Sequence, residues 1–169
     1  MGTKYKISLG IIITILVAIS IYQYVKIKQL HSQIEMINPT VSSRAIQNGL
    51  VQLESEINYQ KTHDWESPEL LTVRIQNILE GISVTIEAGH HVDTLSEQDR
   101  NALWDLHRFF YKYTENKKTH ELILNEEEKR DFEELTDRLK KNGWGLNIGF
   151  SSDWHDFMRR TNSFLSNSR

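Results

Sequence analysis

No cysteine occurs among the 169 residues. Its absence excludes disulfides, thiolate metal centres, a cysteine nucleophile and lipid attachment at a cysteine. The redox compartment stays open, because a cysteine-free domain tolerates either side of a membrane. Proline is scarce, with only Pro39 and Pro68, so few positions forbid a helix. Excess positive charge is lacking as well: the formal net charge is −3. Beyond Lys4 and Lys6 the chain carries 18 basic and 23 acidic residues, and its basic blocks, Arg159-Arg160 among them, are no longer than two consecutive residues. This argues against nucleic acid as a partner, since phosphate binding needs a concentrated positive face. No Gly-x-Ser-x-Gly is present, which removes the nucleophile elbow of an acyl-transfer triad.

What the chain does have is a long apolar run. Ile7 to Val25 is 19 residues without a charge, which as a helix span roughly 28 Å, near the hydrocarbon thickness of a bilayer. Lys4, Tyr5 and Lys6 stand at one edge, and Tyr22, Tyr24, Lys26 and Lys28 at the other. Interfacial tyrosines and snorkelling lysines mark the ends of an anchored helix in this way. The rival is a cleaved signal peptide, with Met1–Lys6 as the positive region, Ile11–Val17 as the apolar core and Ala18-Ile19-Ser20 as a cleavage site. Apolar residues continue past Ser20 through Ile21, Tyr22, Tyr24 and Val25, which favours an uncleaved, single-pass signal anchor. The expected organisation is a short tail (1–6), a transmembrane helix (7–25), a juxtamembrane stalk (26–40) and a helical domain (41–169). That last part is one domain's worth of chain, enough for a single core. The lysine balance slightly favours a cell-membrane protein with its helical domain on the extracytoplasmic side.

In the stalk, Ile27, Leu30, Ile34 and Ile37 form a heptad seam that Asn38-Pro39 is expected to stop. The seam either packs on its own domain or pairs two chains as a short coiled coil. A second helix is expected from Ser42 or Ser43, with Ile46, Leu50, Leu53 and Ile57 facing inward, fading near Gln60 to His63. Ser67, Pro68 and Glu69 supply cap, first helical position and first-turn acid for a third. Leu71, Ile75, Ile78 and Ile82 make its stripe, broadened by Leu70, Leu79 and Ile86. Gly89 is placed to close it as a left-handed cap, and Gly81 with "ISVTI" weakens its last turns. Ser96 with Asp99 and Leu95 begins a fourth helix as an approximate capping box and staple, with Leu103, Leu106, Phe110 and Tyr113 inward. Asn125 with three glutamates begins a fifth, with Phe132, Leu135 and Leu139 inward and Asn142-Gly143 at its end. A sixth starts at Ser152 and runs through Trp154, Phe157, Met158 and Phe164. The starts "LSEQDRNALWDL" and "LNEEEKRDFEEL" look alike because helices begin alike. The fold class is all-α: an anchor, a short stalk helix and a compact bundle of about five helices.

Candidate chemistry is sparse. Glu87 to Asp93, "EAGHHVD", is the densest group of potential ligands, and His90, His91 and Asp93 suit zinc or iron. Glu87 and His90 have the i, i+3 spacing of di-metal bundles, but a Gly89 cap separates their faces and no second Glu-x-x-His occurs. His63-Asp64 and Trp154-His155-Asp156 are sequence neighbours rather than dyads, and His107 sits at the edge of its helix's apolar stripe. Gly143, Gly145 and Gly149 in "NGWGLNIGF" lack dinucleotide spacing and follow a helix, not a strand. As extended chain, that stretch would align Trp144, Leu146, Ile148 and Phe150 on one side, either as a connector across the helices or as a partner-binding edge. Phe109, Phe110 and Tyr111 are consecutive, so one helix face cannot bury all three. The functional expectation is a membrane-anchored protein-interaction module, not an enzyme, with no cofactor, a membrane, an unknown protein partner, and self-association through Ile27, Leu30, Ile34 and Ile37. The alternative is a small membrane-tethered metal-binding protein or metalloenzyme using Glu87–Asp93.

Overall fold

The computed structural model describes residues 2–91, 94–114, 123–149 and 153–166, with the side chains of 2–12, 31–39 and 91 outside that description. The described residues form five helices and no strand: α1 (Gly2–Thr62), α2 (Glu69–His91), α3 (Glu97–Tyr111), α4 (Glu126–Lys141) and α5 (Trp154–Ser166). The chain divides into two compact units, Met1–Ile37 and Asn38–Arg169.

The first unit consists of the N-terminal part of α1. Ile7 to Val25 is helical, and the side chains from Ile13 to Leu30 are all exposed. Among the described residues no helix is long and apolar enough to cross a membrane. The side chains of 7–12, the first third of the apolar run, lie outside the described set, as do those of Ile34 and Ile37.

The second unit is a compact helical bundle built from the last part of α1 and from α2 to α5. Three expected helices over 7–60 are one. The stop at Asn38-Pro39 and the fresh start at Ser42 or Ser43 do not occur, because α1 passes through both. An interior proline removes one backbone bond. Here that loss falls beside the boundary between the units, ahead of Ser43, where the described buried residues begin. Ser43 is buried, and its hydroxyl donates to the Thr40 carbonyl at 3.0 Å, which is a bond of a helix interior and not of a cap.

The inward stripes form as their periods dictate. Ile46, Leu50, Leu53 and Ile57 of α1 meet Leu71, Ile75, Ile78 and Ile82 of α2, all at most 1% exposed. Gly49 lets these helices close up, because a Cβ there would lie 2.8 Å from Ile78 Cγ1. Leu70, expected to broaden the α2 face, is instead exposed. Between α1 and α2 the chain turns through two left-handed residues, Asp64 and Trp65. The Ser67 N–H there donates to Gln60 Oε1 at 3.0 Å.

Gly89 is not a cap: α2 continues through it to His91. Its missing side chain makes room for Leu95, whose Cγ would lie 2.3 Å from an added Cβ. The "ISVTI" turns also stay helical, with Ile82 and Ile86 buried and Thr85 Oγ1 donating to the Gly81 carbonyl at 2.7 Å. In α3, Ser96 accepts from the Asp99 N–H as expected. The Asp99 carboxylate goes elsewhere, accepting from Trp154 Nε1 at 3.0 Å. Asn125 and Glu128 form a complete capping box on α4. The cap of α5 is Asp153, which accepts from the Asp156 N–H at 2.8 Å, whereas Ser152 lies outside the described residues. Phe109 and Phe110 are both buried, Phe110 stacking on Phe164 of α5, while Tyr111 is exposed.

Candidate functional site

The loop after α4 is the most constructed surface feature. It opens with Gly143 at φ +84°, a left-handed value that favours glycine. The Gly143 carbonyl accepts from Arg160 Nη1 at 2.9 Å, and Arg160 Nε donates to Asp156 at 2.8 Å, tying the end of α4 to α5. Trp144 then drops into the core at 0% exposure, against Phe157 and Phe164. Beyond it the chain turns back: the Ile148 N–H donates to the Gly145 carbonyl at 3.0 Å. The alternating edge expected over 144–150 therefore does not form. Leu146 is 64% exposed and Ile148 42%, on the solvent side of a turn whose anchor is the buried Trp144. Phe150 lies outside the described residues.

Beneath this loop sits Glu54 of α1, 1% exposed. Its Oε2 accepts from the Leu146 N–H at 3.0 Å, and its Oε1 pairs with Lys140 Nζ at 3.2 Å. Asn58 Nδ2 also donates to Oε1, and Asn58 Oδ1 accepts from Lys140 at 3.3 Å. The carboxylate thus has charged and neutral donors that compensate its burial. A cavity of about 340 Å³ opens beside it, lined by Asn58, Lys140, Gly145, Leu146 and Ile148. Glu54 was not among the sequence candidates. Its signal was present: it stands four residues after Leu50 and three before Ile57, inside the apolar stripe.

A second cavity, of about 450 Å³, lies between α3 and α4. Lys112 Nζ lies 4.2 Å and the Arg138 guanidinium 4.6 Å from the Phe109 ring centre. Arg138 Nε also donates to the Phe164 carbonyl at 3.0 Å. Burial lowers both basic groups, and for Lys112 the nearby Arg138 adds to the effect. Burial, reinforced by Asp131, pushes the Tyr113 phenol up to about 12, so it remains a neutral donor. With Asp131 and Glu134 also in the lining, two acids match two bases, and charge alone selects neither an anion nor a cation.

The histidine candidates separate. Because α2 is continuous, Glu87 and His90 lie one turn apart on one face, both exposed. The His91 side chain and Asp93 lie outside the described residues. Among the described residues no group of three or more histidines and acids is placed to hold a metal. His63 stacks on Tyr59 at 3.9 Å, with Nδ1 2.9 Å from the Tyr59 carbonyl. Asp156 binds Arg159 and Arg160, not His155, and Arg159 leads in holding its carboxyl below the usual range. His107 lies between Trp104 and Tyr111, with ring centres at 5.5 and 6.2 Å, and burial lowers it. Comparison with family models, curated proteins and solved structures finds no match to this chain.

Proposed function

We propose that the chain is a membrane-tethered helical module that docks a protein partner, with Ile7–Val25 as its single-pass anchor and the bundle on the extracytoplasmic side. The observation that carries the docking half is the pair Leu146 and Ile148, exposed on a loop whose backbone is bonded to the buried Glu54. Apolar side chains on a pre-ordered loop lose little entropy when covered, and the adjoining cavity has room for an apolar side chain of the partner. The anchor half rests on the uncharged run and its tyrosine and lysine edges.

A photo-crosslinking residue at Leu146 in membranes from expressing cells tests the docking. A discrete adduct is expected, lost in an Ile148→Asp background and absent when the probe sits at exposed Glu126. Equal labelling from both positions would overturn the reading. Resistance to alkaline carbonate extraction, with protease access to the bundle only from outside the cell, tests the anchor and its orientation. One observation favours a metal reading beside this one: Glu87 and His90 share a helix face. A stoichiometric metal in the chain purified without chelator, lost on His90→Ala, would move the assignment to that segment.

A further inference from the structure

Ile27 and Leu30 are 67% and 60% exposed on α1, beyond the end of the uncharged run. Stepping back by sevens from this pair gives Ser20 and Gln23, then Ile13 and Leu16. These six side chains form one stripe at heptad spacing, all exposed. Continuing forward, the same period reaches Ile34 and Ile37. The seam is thus longer than its juxtamembrane part, and it enters the apolar run with two polar residues at its centre.

We infer that two copies of this chain pair in parallel along this stripe of α1, with Gln23 of each copy bonded to Gln23 of the other. The inference rests on the membrane reading above. Gln23 is the only carboxamide between Ile7 and Val25. The hydroxyls of Ser8, Thr14 and Ser20 can bond to carbonyls of their own helix. A carboxamide has two donor hydrogens and two acceptor lone pairs, and hydrocarbon offers it nothing. A two-fold, in-register pair sets the two Gln23 side chains face to face at the same level. An amide is both donor and acceptor, so that contact is self-complementary. Antiparallel packing would separate them along the axis. Gln23 is three residues from Lys26, about 4.5 Å along a helix, so headgroups compete for the amide. What favours the second copy is register. The amide falls on the stripe that also carries Ile27 and Leu30, two apolar residues that water would otherwise meet. Tethering adds to this by confining both copies to one surface, which raises their effective concentration.

The absence of native cysteine allows a clean test in the full chain. Single cysteines replace Ile27, Lys28, Gln29 or Leu30, and membranes are treated with a mild oxidant. Disulfide-linked dimer is expected from Ile27→Cys and Leu30→Cys severalfold above Lys28→Cys and Gln29→Cys. Adding Gln23→Leu should lower the yield severalfold, and Gln23→Asn should restore most of it. Equal yields from all four positions, or no effect of Gln23→Leu, would overturn the pairing. Carbonate extraction of the same membranes separates the two ideas. Release of the chain overturns the anchor, while the cross-link pattern still decides the pairing.

Discussion

Glu54 and Lys140 show how one ion pair can be unequal in its two halves. Glu54 is 1% exposed and the Lys140 side chain 45%, so only the carboxylate depends on the protein for its solvation. Lys140→Met leaves a buried charge with neutral donors alone and should cost about 3 kcal/mol. Glu54→Gln keeps an acceptor for the Leu146 N–H and should cost only about 1 kcal/mol. Urea midpoints of the two variants check the order, and equal losses would mean that the charge of the pair is unimportant. His107 gives a pH prediction. Burial lowers its folded value, so its contribution is complete above the ordinary histidine value and is lost as pH falls through the lowered one. His107→Asn should therefore melt with less change between pH 7 and pH 5 than the parent chain. The edge position of His107 was legible from the spacing of Leu103, Leu106 and Phe110. Glu54 was not chosen from sequence because a glutamate between Leu53 and Ser55 resembles a solvated residue. Its burial depends on donors from three places, the Leu146 N–H of the loop, Lys140 of α4 and Asn58 of α1, and only Asn58 is near it in sequence.

Between elements, glycines divide by what lies opposite them. Gly81 of α2 has Ile46 Cγ1 at 3.7 Å from an added Cβ, an ordinary contact. Gly81→Ala should raise stability by about 0.5–1 kcal/mol through helix propensity. Gly49 of α1 faces Ile78 Cγ1 at 2.8 Å, so Gly49→Ala must push the helices apart and should destabilise by about 1–3 kcal/mol. Thermal melts of both variants, made on the same background, give opposite signs if the α1–α2 contact is as close as described. The helices themselves were legible, since Ile46, Leu50, Leu53 and Ile57 and then Leu71, Ile75, Ile78 and Ile82 repeat the same 4-3-4 spacing. Their ends were less so. Pro39 and Gly89 both signal termination locally, yet α1 and α2 run through them. A glycine that makes room for Leu95 has the same sequence signature as one that caps. The loop over Trp144, Leu146 and Ile148 reads as an alternating strand, and it becomes a turn because only Trp144 finds a core to enter.

At the scale of the molecule, the described buried residues run from Ser43 to Phe164, all inside the unit Asn38–Arg169. The inward stripes meet within that unit: α1 meets α2, α2 packs on α3, α3 packs on α5, and Phe132 of α4 meets Tyr113 and Trp65. Among the described residues none before Ser43 is buried, and a domain of about 130 residues can bury roughly two-thirds of the surface its unfolded chain exposes. A fragment of residues 38–169 should therefore fold alone. It should unfold in one cooperative transition, with a melting temperature within about 3–4 °C of the bundle transition in the full chain, the shift expected for the loss of about 1 kcal/mol in a domain of this size. The new start also removes the constraint of Pro39 inside a helix, because proline is tolerated in a first helical turn. Circular dichroism melts and urea titration of the fragment check this. A broad, non-cooperative melt with exposed apolar surface would mean that the N-terminal part of α1 contributes to the bundle after all. That result would also favour the other expectation for Ile27 and Leu30, a seam that lies on its own domain. A cooperative fragment leaves those side chains to pair elsewhere, and the natural surface for them is the same stripe on a second copy.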